Sequence, residues 1–154
     1  MKKLIFIKLF LLGLFTNALA GEMSINNGWI KAKQGPMTGA FIHITNNTGF
    51  DDKLIGVKTK FAKKNEIHIV KMDSKSNAKM MKASFISIPN NKTTKLEQGG
   101  NHLMFMGITK NIVAGQKYNI TLIFEKHGEV DIMLTAEKVK KSNYNNKKEY
   151  NYYN

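Results

Sequence analysis

Apolar and polar residues alternate along this chain in short runs. Ile42/Ile44, Ile67/Ile69, Leu103/Phe105, Ile120/Leu122/Phe124 and Ile132/Leu134 recur at every second position. That spacing lines up apolar side chains on one face of a β-strand. The pattern predicts strands at Met23–Lys33, Ala40–Thr45, Lys53–Lys58, Glu66–Met72, Lys79–Ile86, Thr94–Gln98, His102–Ile108, Lys117–Phe124 and Glu129–Thr135. Turn residues separate them: Asn46-Asn47-Thr48-Gly49, Pro89-Asn90-Asn91, Gly99-Gly100 and His127-Gly128. No segment keeps a 3.6-residue period between helix caps. Many short, evenly spaced strands predict an all-β sandwich or small barrel of about eight or nine strands.

The two ends differ from this middle. Residues 1–20, MKKLIFIKLFLLGLFTNALA, hold Lys2 and Lys3, then an apolar stretch from Leu4 to Phe15 interrupted only by Lys8 and Gly13, then Ala18-Leu19-Ala20 before Gly21. This is the order of a cleaved secretory signal peptide. No Cys follows the cleavage point, so no lipoprotein anchor is expected there. Residues 138–154, KVKKSNYNNKKEYNYYN, have no aliphatic residue after Val139 and predict a disordered Lys/Asn/Tyr-rich tail. Residues 21–137 are then one β-sandwich domain, a usual size for a single core.

Charge narrows the function. All 24 cationic residues are Lys, and the formal net charge is +13. Such a charge can serve nucleic acid or an anionic membrane surface. Without Arg, bidentate reading of guanine is lost. Much of the excess also sits at the ends: the leader carries +3 and the tail +4. No nucleic-acid partner is expected. Weak attraction of the Lys-rich tail to an anionic membrane remains. The chain has no Cys, which excludes disulfides, thiolate metal sites and a Cys nucleophile. No nucleophile–base pair, phosphate loop or zinc motif is present, so an enzyme is not expected.

The chemistry lies in His and Met. Alternation puts His102, Met104 and Met106 on one face of their strand and Leu103 and Phe105 on the other. His68 likewise lies opposite Ile67 and Ile69. These methionines can be packing residues, which would need strands buried on both faces. They can equally be ligands. Thioether sulfur and neutral imidazole together favour a soft d¹⁰ ion such as Cu(I). In an oxidising compartment such a set avoids the disulfide chemistry of thiols.

The spacing of His68, Met80, His102 and Met104 resembles the motif of the periplasmic copper chaperone family PCu(A)C, H(M)x10Mx21HxM. Ile69 stands at the optional Met. Trp29 with Gly39-Ala40-Phe41, Asp51 to Val57, Gly99 to Gly107 and Phe124 to Val130 also resemble the family, over residues 23–135. The resemblance implies a cupredoxin-like Greek-key β-sandwich that binds one Cu(I) per domain through His68, Met80, His102 and Met104. It implies a periplasmic monomer that delivers copper to the binuclear centre of cytochrome c oxidase, through subunit II or alongside a Sco-type protein. Gln98 replaces a usual Pro before the Gly pair. Met81 offers an alternative register to Met80, although the 21-residue spacing selects Met80.

Met106 and Met72 share the faces of Met104 and His68 and are expected to pack or lie exposed rather than ligate. His43 and His127 are read as surface residues. Asp51-Asp52 lacks the further oxygens of a hard-cation site. Two rival functions stand beside delivery. One is a periplasmic copper buffer or tolerance protein using the same site. The other is a metal-free adhesion or scaffold module.

Overall fold

The computed structural model describes residues 21–74 and 77–139. The leader, and all but the first two residues of the expected tail, lie outside the described residues.

Ten strands and no helix are found among them: β1 (Met23–Lys31), β2 (Met37–Asn46), β3 (Asp52–Lys58), β4 (Ala62–Met72), β5 (Ala78–Ala83), β6 (Ile86–Ile88), β7 (Lys92–Leu96), β8 (His102–Ile108), β9 (Lys117–Phe124) and β10 (Gly128–Glu137). Hydrogen bonding runs β5-β4-β8-β2-β1-β10-β9-β3-β6 without closing, and β7 also pairs with β2. The fold is all-β. β1 and β10 pair in parallel, whereas the other described ladders are antiparallel.

The alternating residues supply the core. Ile42, Ile44, Leu54, Ile88, Leu96, Leu103, Phe105, Ile120 and Leu122 are fully buried in one cluster drawn from both halves of the strand path. Each such side chain contributes roughly 1.5–3 kcal/mol on burial. Phe61 joins the layers by meeting Phe105 edge-on at 5.3 Å and Tyr118 at 5.4 Å.

The expected strand Lys79–Ile86 is two strands. β5 pairs with β4, but Ser84 and Phe85 interrupt it, and β6 pairs with β3 at the other end of the sheet path. Ile86 and Ile88 are thereby buried. This split makes ten strands where eight or nine were expected. Asn27, at φ 50°, marks a bulge in β1 that shifts its register against β2 between Asn26 and Trp29. Beyond it, Trp29 lies opposite Phe41, with ring centroids 4.6 Å apart. The β9–β10 hairpin turns through Glu125-Lys126-His127, with Gly128 at φ 85°, as the His127-Gly128 signal implies.

Candidate metal centre

β8 lies between β4 and β2, and its two faces do different work. Leu103 and Phe105 face the core and are completely buried. His102, Met104 and Met106 take the opposite, outer face. Cross-strand register brings the rest of the site to them, because directly opposed residues share a face. His68 of β4 is paired with His102, and Glu66 with Met104. On β5, Lys82 is paired with His68 and Met80 with Val70. Met80 therefore shares the face of His68, while Met81 is paired with Ile69 on the other face and is exposed. The four motif residues thus lie on one sheet face across three adjacent strands, with His68 and His102 level with each other, Met80 two positions to one side and Met104 two positions to the other. Gly39 of β2 stands opposite Met104, and the Phe41 ring fills the space a side chain there would take, its Cζ 3.5 Å from where a Cβ would lie.

The two imidazoles meet edge-to-face with centroids 5.5 Å apart. Each has one nitrogen committed. His102 Nδ1 donates to the Gly100 carbonyl at 2.8 Å; a carbonyl can only accept, so the proton is on Nδ1 and Nε2 carries the lone pair. His68 Nε2 lies 2.9 Å from Glu66 Oε2. The Glu66 carboxyl is held down at about 2, chiefly by this bond. Lys64 at 3.1 Å and Lys82 at 3.4 Å reinforce it, and burial opposes it. Glu66 is therefore an ionised acceptor and His68 Nε2 donates to it, which leaves Nδ1 as the nitrogen to face a metal. Hydrogen bonds of this kind fix the tautomer and orientation of metal-binding imidazoles.

Burial lowers the pKa of His102, with His68 adding to the effect and the Gly100 bond opposing it. His102 is 6% exposed and rests beside the Phe41 ring at 6.2 Å. The His68 side chain is 17% exposed. One donor is thus sheltered and neutral, and the other lies nearer solvent. This arrangement can hold a soft cation at a protein surface without a formal negative charge from its ligands.

The turn before β8 supports the site. Gly99 takes φ 84°, Gly100 N donates to Glu97 O at 3.0 Å, and the Asn101 side chain accepts from Val70 N at 3.1 Å. Glu66 and Asn101 are the site residues that the pattern reading passed over. Glu66 could have been found two positions before His68, on the same strand face.

Other singled-out residues lie elsewhere. Met72 is exposed at the end of β4. Met106 faces Met37 and Lys64 one step along β8. His43 does lie outward between buried Ile42 and Ile44. It is more enclosed than a free surface residue, with Nδ1 3.1 Å from Asn27 and Nε2 3.0 Å from Glu97. His127 is exposed in its turn. Asp52 is buried, and its oxygens accept backbone N–H groups from Lys53, Lys126 and His127. It is a turn clamp, and among the described residues it belongs to no group of three or more His, Asp or Glu side chains that could hold a metal ion.

Residues 23–136 match the family model described as "Putative lipoprotein LpqE-like". The chain belongs to the LpqE-like family. This LpqE-like chain is 29% identical over 105 residues to a protein of Leifsonia xyli subsp. xyli (strain CTCB07), also named as a lipoprotein; the match covers 68% of this chain and 63% of that one. Among solved structures, the copper-bound PCuAC domain from PmoF2 is similar, with 26% identity, a TM-score of 0.65 and coverage of 77% of this chain and 95% of the other. The Cu(I) form of DR1885 from Deinococcus radiodurans shares the fold, with 23% identity, a TM-score of 0.60 and coverage of 80% and 84%. The LpqE-like domain thus has the architecture of PCuAC domains, as its resemblance to that family implies.

Proposed function

We propose that this protein is an exported copper chaperone whose domain binds one Cu(I) through His68, Met80, His102 and Met104. The observation that carries the proposal is the register of β5, β4 and β8, which gathers two imidazoles and two thioethers on one sheet face. Each imidazole also has a nitrogen left over from its hydrogen bond. The likeness to a copper-bound PCuAC domain supports the choice of copper. The soft ligand set favours the monovalent ion.

The role is carriage and not catalysis. A thioether has no proton to lose on binding, and an acceptor can replace the four ligands one at a time. His68, the more exposed imidazole, is the first to leave, and His102 holds the ion until transfer completes. The leader-like segment and the lipoprotein name of the relative support a place outside the cytoplasm. Resemblance to the PCu(A)C family supports the copper centre of cytochrome c oxidase as acceptor, directly or beside a Sco-type protein.

Competition with a colorimetric Cu(I) chelator tests the binding. The wild-type domain should withdraw one equivalent, and His102→Ala and Met104→Ala should lose it. Failure of the wild type to compete would refute the proposal. Delivery is tested separately in a deletion strain: oxidase activity should fall at low copper. Sensitivity confined to high copper would instead indicate buffering.

A further inference from the structure

A second group of thioethers adjoins the candidate centre. Met37 of β2 is paired with Met106 of β8, on the outer face that carries Met104 and His102. Directly opposed Cα atoms of an antiparallel pair lie about 4.5–5.5 Å apart, and Met104 is about 7 Å from Met106 along the strand. All three side chains are half-buried, enough to be held and still reachable. Gly39, between Met37 and Phe41 on that face of β2, puts no side chain beside Met104. On the other flank of Met106 is Lys64, whose ammonium is turned to Glu66 at 3.1 Å, leaving the thioethers without a bonded cation among them.

The three flexible thioethers offer a neutral, all-sulfur ligand set, since the Glu66 carboxylate opposite Met104 is already bonded to His68 and Lys64. Such a set discriminates strongly by softness. It can take Cu(I) or Ag(I), and it offers nothing to Cu(II), Zn²⁺ or hard cations. Without imidazole it should also bind more weakly than the mixed site. The core does not need these residues here, because β8 already buries Leu103 and Phe105 on its inner face.

We infer that Met37 and Met106, with Met104 as the shared member, form a second, weaker station for a soft monovalent ion, through which Cu(I) enters or leaves the His68–His102 centre. This inference rests on the copper reading above, and Met104 is what links the two stations.

The test is a titration of the full chain with Ag(I), a redox-inert probe for Cu(I), followed through ¹³C-methyl methionine and histidine-ring NMR signals. The first equivalent should shift Met80, Met104 and both imidazoles. The second should shift the Met37 and Met106 methyls together. Met37→Leu/Met106→Leu should abolish the second step and keep the first. The proposal is overturned if the second equivalent leaves Met37 and Met106 unmoved, or moves the exposed Met72 or Met133 instead. It is also overturned if the double variant still takes a second ion. Silence of the imidazoles at the first equivalent would count against the central site alone, since the Met37 and Met106 signals are read separately.

Discussion

His68 stands directly across the β4–β8 ladder from His102, and their rings meet edge-to-face with centroids 5.5 Å apart. The pair is asymmetric. His102 is locked by a backbone carbonyl and covered, whereas His68 is held by a carboxylate and sits closer to solvent. A carrier needs that difference: one donor that keeps the ion and one that can yield to an acceptor.

Glu66 should govern how well His68 binds. Its carboxylate accepts from His68 Nε2 and keeps Nδ1 available. Replacing an outer partner of a metal-binding His typically costs about 10–100-fold in affinity. Glu66→Ala should weaken Cu(I) binding by that order in chelator competition. Glu66→Gln retains a carbonyl acceptor for Nε2–H and should lose less. Equal losses in the two variants would mean that Glu66 acts by charge and not by orientation.

The same residues predict an acid limb in the stability of the apo protein. Burial holds His102 below its ordinary 6.5, so the unfolded chain takes up a proton that the folded chain resists. Stability should therefore decline as pH falls below 6.5 and through the lowered value. Glu66 is lowered from 4.5 to about 2, so its contribution is complete above 4.5 and is lost as pH falls toward about 2. Urea midpoints measured from neutral pH downward should show both declines. Glu66→Gln should remove the lower one.

The two faces of β8 should separate stability from binding. Leu103 is completely buried in the core, and Leu103→Ala should cost about 2–5 kcal/mol by urea unfolding. Met104→Leu keeps volume on the outer face and should cost under about 1.5 kcal/mol while removing copper binding. Comparable stability losses would mean that Met104 is a packing residue.

Asp52 should matter to the fold and not to the metal. Its carboxyl is lowered because backbone amides of Lys126, Lys53 and His127 outweigh the opposing effect of burial. Asp52→Ala leaves those donors unpaired and should destabilise the protein by about 1–3 kcal/mol. Cu(I) stoichiometry should stay at the wild-type value.

The strand faces were legible because apolar alternation and burial agree at Ile42/Ile44, Leu103/Phe105 and Ile120/Leu122/Phe124. The common face of His102 and Met104 followed from the same period. What alternation does not carry is register between distant strands. The choice of Met80 over Met81 rested on motif spacing in the sequence, and the β4–β5 ladder places the two on opposite faces. The break at Ser84-Phe85 was hidden because Lys79–Ile86 has no Gly or Pro to mark it. Pairing with β3 exploits that break. Asn27 gave no warning of its bulge either, since the bulge depends on how β1 must lie against both β2 and β10. Glu66 went unremarked because a lone carboxylate in a strand reads as solvated, whereas here its partners are supplied by β4 and β5 together.

The measurement that bears most directly on the central claim is X-ray absorption at the copper edge of the one-equivalent Cu(I) complex. The ligand set His68, Met80, His102 and Met104 predicts a monovalent edge with two nitrogen and two sulfur scatterers. Met80→Leu should reduce the sulfur count by one, and Met81→Leu should leave it unchanged. A coordination sphere without sulfur, or one unaltered by Met80→Leu, would contradict the account.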